Sequence, residues 1–348
     1  MKFARAAIAL SALQGAFLVA ATAAPMAISV ERKNDIDRMI EAPTTIFLSG
    51  DIEADTPYRL REALKGVKDH WVSVVLDSPG GNLMAGMEIG RILRSRKATI
   101  TVGSKAEPYK PKAGMCLSAC SLAFLGGTYR YMAPGSVYGV HRASSIVGPR
   151  PTDLDSGQIV SAAIGAYIRE MDVEPALLDL TVKAGKDGMY MLSAAELKSL
   201  RVINNGRKQP TWSIEVVEGG TYLRGSQETL YGMGKSMFMC IGGRYEFMSV
   251  YTAGTKAETI AKQAWEHSIV IDDDPVPLPP PRRIESDGEF VNASFRITPE
   301  IMRRLQSASK VGHAMQLSRE APTFVGYNID IDPESKAKVR TYAKNCVN

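Results

Sequence analysis

The run Trp71-Val-Ser-Val-Val-Leu76 carries a single polar side chain and stops abruptly at Asp77-Ser-Pro-Gly-Gly81. A strand this apolar belongs inside a parallel sheet covered on both faces, not in a half-solvated antiparallel one. Parallel neighbours require long crossovers, usually helical, and the flanking sequence supplies them. After Asp55-Thr-Pro-Tyr, a helix start with an early proline, Leu60, Leu64 and Val67 recur at helical spacing. Leu83 to Leu93 repeats that period just past the glycine pair, while Thr44 to Ile52 and Ala98 to Val102 read as further strands. The alternation predicts an α/β fold with short loops and right-handed crossovers.

A second constellation carries chemistry. In Gly114-Met-Cys-Leu-Ser118-Ala-Cys120-Ser-Leu-Ala-Phe-Leu-Gly-Gly127, small residues crowd one serine at the start of a short apolar run. A serine at a helix N-terminus lies beside unpaired backbone N–H groups and the positive end of the helix dipole, which can hold the oxyanion of an acyl transfer. His141 ends the strand-like Val137-Tyr-Gly-Val-His141 and is placed to act as a base. Taken alone, Ser118 is an ordinary helix cap; combined with the Pro-Gly-Gly turn and His141 it reads as a nucleophile. Ser121 falls inside the helix, and His70, His267 and His313 have no comparable setting, so they read as surface or structural. Gly80-Gly81 lacks any G-x-G-x-x-G or G-K-[ST] context, which argues against a nucleotide loop.

In this order and spacing the segments resemble the ClpP-like serine peptidases of the ClpP/crotonase superfamily, over residues 40–205. The family pattern has a strand ending in Ser-Pro-Gly-Gly, a serine at a helix start, a Gly/Arg turn and a strand ending in histidine. Here Val74 to Gly81, Ser118, Gly126-Gly-Thr-Tyr-Arg130 and Gly139-Val-His141 take those places, and Tyr190 to Val202 matches the tail. The resemblance implies an α/β ClpP/crotonase-like ββα superhelical core, Ser118 as nucleophile and His141 as general base. It also implies an oxyanion hole made by the N–H groups of Gly80 and Ala119. The triad acid departs from the pattern: its place falls on Met189 or Tyr190, and Asp187 stands two residues early. Asp187 is the candidate acid, Asp179 a second, and a Ser–His dyad oriented by a backbone carbonyl the alternative. The implied activity is hydrolysis of unfolded polypeptide or peptide substrates with no cofactor and no ATP coupling. Helices at 156–170 and 175–183 stand where the related fold makes oligomer contacts, which implies a homo-oligomer.

Three other readings stay open. Crotonase relatives use the same paired N–H groups to hold a thioester enolate, without needing Ser118 and His141 together. A catalytically inactive module on this fold would bind peptides or envelope proteins, in keeping with the missing aspartate. A Ser–Lys peptidase would take Lys105, Lys110 or Lys112 as base.

Residues 1–23 have the anatomy of a signal peptide, with Lys2 and Arg5, an apolar Ala6 to Val19 and Ala21-Thr-Ala23 as the cleavage pattern. The apolar stretch, diluted by Ser11, Gln14 and Gly15, falls short of the ~20 residues a spanning helix needs. The expected location is therefore periplasmic or secreted, with no membrane span after cleavage. Of the net charge of +5, two units belong to this segment, so the remainder is too mild for a nucleic-acid partner. In an oxidising compartment the four cysteines acquire meaning. Cys240 and Cys346 can staple the chain end onto its domain. Cys116 and Cys120 flank Ser118; they are either bridged, which fixes the nucleophile's turn, or two buried thiols. No histidine pattern accompanies them, so no metal site is expected.

From Pro210 the pattern changes to strands at Trp212 to Val217, Thr221 to Leu223, Met237 to Ile241, Tyr245 to Tyr251, Phe290 to Ile297 and Phe324 to Ile331, with a helix at Pro299 to Ser307. Residues 210–348 are expected to form a smaller β-rich α+β domain. Within it the proline-rich 272–283 is excluded from helix and central strand and reads as an extended, polyproline-like connector. Lys105 to Gly114, with Pro108 and Pro111, is expected to be a loop over the active site.

Overall fold

The computed structural model describes residues 24–106, 110–142, 153–184, 188–320 and 324–347; the expected signal segment at 1–23 and Asp187 lie outside them. The first domain begins earlier than expected, with β1 (Ala27–Val30), a short α1 (Asp35–Met39), β2 (Thr44–Ser49), α2 (Thr56–Leu64) and β3 (Val72–Asp77). It continues through α3 (Leu83–Ser95), β4 (Thr99–Val102), β5 (Met115–Leu117), α4 (Ala119–Leu125), β6 (Tyr129–Met132) and β7 (Val137–Val140). It closes with α5 (Asp153–Glu170), α6 (Leu177–Lys183), β8 (Tyr190–Met191) and α7 (Ala194–Ser199).

The main sheet has the order β1-β2-β3-β4-β6, so the apolar run of β3 is its central strand. β2, β3, β4 and β6 are parallel and β1 adds antiparallel at the edge. Ile46, Leu48, Val74, Leu76, Ile100 and Val102 face the helices and form one core with Leu60, Ile89, Leu93 and Phe124. The other sheet face departs from the expectation of helices on both sides. Thr45, Phe47, Ser73, Val75 and Thr101 line a shallow cavity of about 300 Å³ with Arg32, Lys33, Ala106 and Pro111. The described part of the 105–114 segment lies on this face, with the Lys105 ammonium 4.5 Å above the Phe47 ring. It therefore does not cover the Ser118 cavity, which the other face of the sheet supports.

A second, smaller sheet, β5-β7-β8, is stitched to the carboxyl end of β3. Ser78 N–H donates to Met115 O (2.8 Å) and Leu117 N–H to Ser78 O (3.1 Å), so β5 continues beside the strand that ends in Ser-Pro-Gly-Gly. Loops at the carboxyl ends of parallel strands are where open α/β sheets place their ligands.

The second domain contains β9 (Thr211–Val217), β10 (Gly220–Thr229), β11 (Gly232–Ile241), β12 (Arg244–Thr252), α8 (Ala257–Gln263), β13 (Glu266–Ile271) and β14 (Asp274–Pro277). β15 (Arg283–Asp287), β16 (Phe290–Arg296), α9 (Pro299–Leu305), β17 (Lys310–Gln316), β18 (Phe324–Asp330) and α10 (Pro333–Val347) complete it. Two antiparallel sheets, β15-β16-β12-β11-β10-β9 and β14-β13-β17-β18, enclose a separate core around Phe238, Phe247 and Phe295. The proline-rich segment is not a free connector. Asp272 and Asp273, at φ 52° and 70°, make a tight turn that folds β14 back on β13, with Ile271 opposite Asp274. Pro275 and Pro277 are tolerated because β14 is an edge strand, where a missing N–H breaks no ladder on the solvent side. The chain then crosses to the other sheet and becomes its edge strand, β15.

Candidate active site

Ser118 occupies the elbow between β5 and α4 at φ 57°, ψ −125°, a region that only glycine enters without strain. The cost of such a conformation for a residue with a Cβ is about 1–3 kcal/mol, and strain of this kind clusters where geometry serves function. The register explains how the elbow meets its base. Cys116 faces Tyr138 and Leu117 faces Gly139 across parallel β5 and β7, and Ser118 N–H donates to Gly139 O at 3.1 Å. Both strands therefore end together. Ser118 Oγ and His141 Nε2 lie 2.6 Å apart; with the hydroxyl donating, the ring proton belongs on Nδ1.

The elbow is held from beneath. Ser121 Oγ donates to Ser118 O at 2.6 Å, so Ser121 supports the turn and is not a rival nucleophile. Tyr138 OH donates to Ser121 O at 3.2 Å and Tyr167 OH to Leu122 O at 2.7 Å. Burial pushes both phenols upward, keeping them neutral donors. Helix α3 presses on the same turn: a Cβ at Gly86 would stand 2.4 Å from Ala119 O, so the close approach demands glycine. Arg130, in the Gly/Arg turn, is only 2% exposed and donates to the carbonyls of Leu125, Gly127, Arg201 and Val202. Desolvation lowers it to about 10. It locks the turn and touches nothing in the site.

The backbone N–H groups expected to hold an oxyanion are not equally free. Gly80 N–H is already used, donating to Ser78 Oγ at 3.1 Å. Gly81 forms a parallel bridge with Ile52, in which Ile52 N–H donates to Gly80 O (2.7 Å) and Asn82 N–H donates to Ile52 O (2.7 Å). That pattern turns Gly81's own N–H to the opposite side, and Gly81 lines one cavity with Ser118, Ala119 and His141. Ala119 is the first residue of α4, so its N–H has no intrahelical acceptor. Among the described residues, neither N–H has an acceptor, and both residues line the cavity in front of Ser118. Gly80 instead gives the room: a Cβ there would fall 2.6 Å from Ser118 Cβ.

The candidate acid Asp187 lies outside the described residues. Asp179 is exposed on α6, and among the described residues no carboxylate bonds to His141. Among the described residues Ser118 Oγ bonds to His141 and to no lysine; of the lysines expected as alternative bases, Lys105 sits over Phe47 and Lys112 pairs through its backbone with Ser104. His267 and His313 are buried in the second domain, hydrogen-bonded to one another at 3.1 Å. Cys116 and Cys120 are bridged across the elbow, and Cys240 and Cys346 are bridged in the second domain.

The cavity in front of Ser118 measures about 470 Å³. Leu83, Leu122, Val140, Ile164, Ile168 and Leu177 supply its walls, with Thr181 and Asn82 as polar edges. The sequence reading missed the part played by α5 and α6. Their apolar periodicity was legible, but a periodic face does not say whether it meets a partner chain or a cavity.

A family model described as Clp protease matches residues 29–169, a stretch that takes in the Pro-Gly-Gly turn, Ser118 and His141. No curated protein matches the chain. Among solved structures, a mutant of the 1510-N membrane-bound stomatin-specific protease aligns at 20% identity and a TM-score of 0.34, covering 45% of this chain and 75% of that one. A ClpP1 mutant from Listeria monocytogenes aligns at 16% identity and a TM-score of 0.36, covering 49% of this chain and 94% of that one. The first domain is thus similar to the Clp protease family over a region containing the paired serine and histidine.

Proposed function

We propose that the first domain is a serine peptidase that cleaves peptides or unfolded chains without energy coupling. The observation that carries this reading is the 2.6 Å contact between Ser118 Oγ and His141 Nε2 at a strained strand-to-helix elbow. Ser118 Oγ attacks the scissile carbonyl as His141 takes its proton, and the imidazolium later returns that proton to the leaving amine. The Gly81 and Ala119 N–H groups receive the developing oxyanion; a donor of this kind contributes ~100-fold or more in rate. Water, activated by the same histidine, then releases the acyl group. The six aliphatic walls of the cavity favour a substrate with an aliphatic side chain beside the scissile bond. Two disulfides, with the leader-like N-terminal sequence, support an exported protein in an oxidising compartment. Ile159, 69% exposed on α5, leaves an apolar position for self-association.

A second reading, a peptide-binding module without activity, is favoured by one sequence observation: the place of the triad acid in the related pattern falls on Met189 or Tyr190. Covalent labelling with a fluorophosphonate probe separates the two. Labelling of the wild type that disappears in both Ser118→Ala and His141→Ala supports the peptidase. A folded wild-type protein that takes no label supports the binding module.

A further inference from the structure

We propose that the Cys116–Cys120 disulfide is the positioning device for the nucleophile, so that the site becomes competent only in a chain oxidised while it folds. This rests on the serine-peptidase reading. The bridge closes across a sequence separation of four, with Ser118 at the midpoint, and holds the two Cα atoms 5.1 Å apart. A disulfide over so short a loop restricts the unfolded chain little compared with the Cys240–Cys346 bridge, whose separation is 106. Its main consequence is therefore local.

The local need is visible. Ser118 has a Cβ and stands at φ 57°, ψ −125°, where rotation of the flanking peptide units toward an ordinary conformation is downhill. The usual restraint is missing, because the N-cap side chain makes no capping bond: Ser118 Oγ is turned to His141 instead. Helix α4 has only seven residues and resists little by itself. The bridge supplies the restraint from a fixed base. Cys116 is paired to Ser78 on one side and Tyr138 on the other, and Cys120 belongs to the first turn of α4. Relaxation of the elbow would move Ser118 Oγ away from Nε2 and swing the Ala119 N–H at the same time, so one constraint sets both nucleophile and oxyanion donor.

Both cysteines are fully buried, at 0% exposure. Dissolved thiols do not reach them in the folded protein, so the bridge is a maturation lock, not a reversible switch. It forms before the core closes. One thiolate attacks a disulfide donor, the second thiolate resolves the mixed disulfide, and the donor leaves as its dithiol, carrying two electrons and two protons.

The test compares the full oxidised chain, the Cys116→Ala/Cys120→Ala variant and Ser118→Ala, each with a melting curve and with fluorophosphonate labelling resolved into a maximal rate and a half-saturating concentration. The double variant is expected to melt as a folded protein and to lose about a hundredfold in maximal rate, the scale of an ångström-sized misplacement, with half-saturation unchanged. Folded wild type held in thiol is expected to keep its rate. The Cys240→Ser/Cys346→Ser variant, in which Cys116–Cys120 is the one bridge left to form, is expected to label as slowly as the Cys116→Ala/Cys120→Ala variant when refolded in thiol and to recover after oxidative refolding. That last comparison decides the matter if the Cys116→Ala/Cys120→Ala variant does not fold. Equal maximal rates for bridged and unbridged protein overturn the proposal while leaving the peptidase reading intact. An oxidised wild type that takes no label removes the peptidase reading and the proposal together.

Discussion

Leu117 and Gly139 face one another across parallel β5 and β7, and this one register pair determines the reach of the site. Ser118 follows the first and His141 lies two residues beyond the second, so their side chains emerge at the same level, with Oγ and Nε2 2.6 Å apart. Gly139 also keeps the sheet thin here, since a Cβ would run into Leu117, Met189 and Met191 at 2.8 Å.

The assignment of Gly81 in place of Gly80 as oxyanion donor has a direct check in Ser78→Ala. The change leaves the buried Gly80 N–H without its acceptor, which costs about 1–3 kcal/mol of stability. If Gly81 and Ala119 hold the oxyanion, the labelling rate of Ser118 stays within about tenfold of wild type, well short of the loss expected for a missing donor. A rise of about a hundredfold or more once the Gly80 N–H is freed would return the role to Gly80.

The cavity walls predict selectivity. Ile164, 7% exposed, lies against the space in front of Ser118. Ile164→Trp fills part of it and is expected to lower kcat/KM for a leucine-bearing peptide by about 10–200-fold relative to an alanine-bearing one, the range that a few methylenes command in an apolar pocket. Paired kinetics on the two peptides test this; an unchanged ratio would detach the cavity from substrate selection.

The buried histidine pair makes the second domain sensitive to acid. Desolvation, with the neighbouring His267 adding to it, depresses His313 to about 3. The folded state therefore binds fewer protons than the unfolded chain wherever the pH lies between that value and the usual 6.5. Stability is full above pH 6.5 and falls on acidification, by at most about 1.4 kcal/mol per pH unit from this group. Melting of wild type and His313→Gln at neutral and mildly acidic pH should show a shallower decline in the variant, whatever its starting stability.

The Cys240–Cys346 bridge ties α10 to β11. Replacing both residues with serine is expected to cost the second domain about 4–5 kcal/mol, the chain-entropy figure for a loop near a hundred residues. The Ser118 labelling rate should not change, since the two hydrophobic cores are separate. Calorimetry with parallel labelling reads both quantities.

Much of the first domain was legible because its signals are local. The apolar run of β3 reports burial in a sheet interior, and the helical spacing around Leu60 and Leu83 reports the crossovers. The second domain was read less fully: β13, β15, β17, α8 and α10 went unassigned, because short mixed strands and helices with few buried apolar positions carry weak periodicity. The prolines at 275 and 277 correctly excluded a central strand, yet an edge strand and a free connector place the same demands on a proline, which only the pairing with β13 distinguishes.

The amino-acid order alone carries the chemistry available and its arrangement along the chain: a Pro-Gly-Gly turn, a serine before a short helix, a histidine ending a strand, and cysteines on either side of the serine. Tertiary structure decided which of these meet and how. Gly81 became the free donor because Ile52, distant in the chain, bridges it from the other side. Helices α5 and α6 became cavity walls because of how they dock. The thiols beside Ser118 became a bridge because β5 ends where α4 begins. Local patterns encode backbone preference and burial; the direction of one N–H or the occupant of one face depends on neighbours that only the folded chain brings into contact.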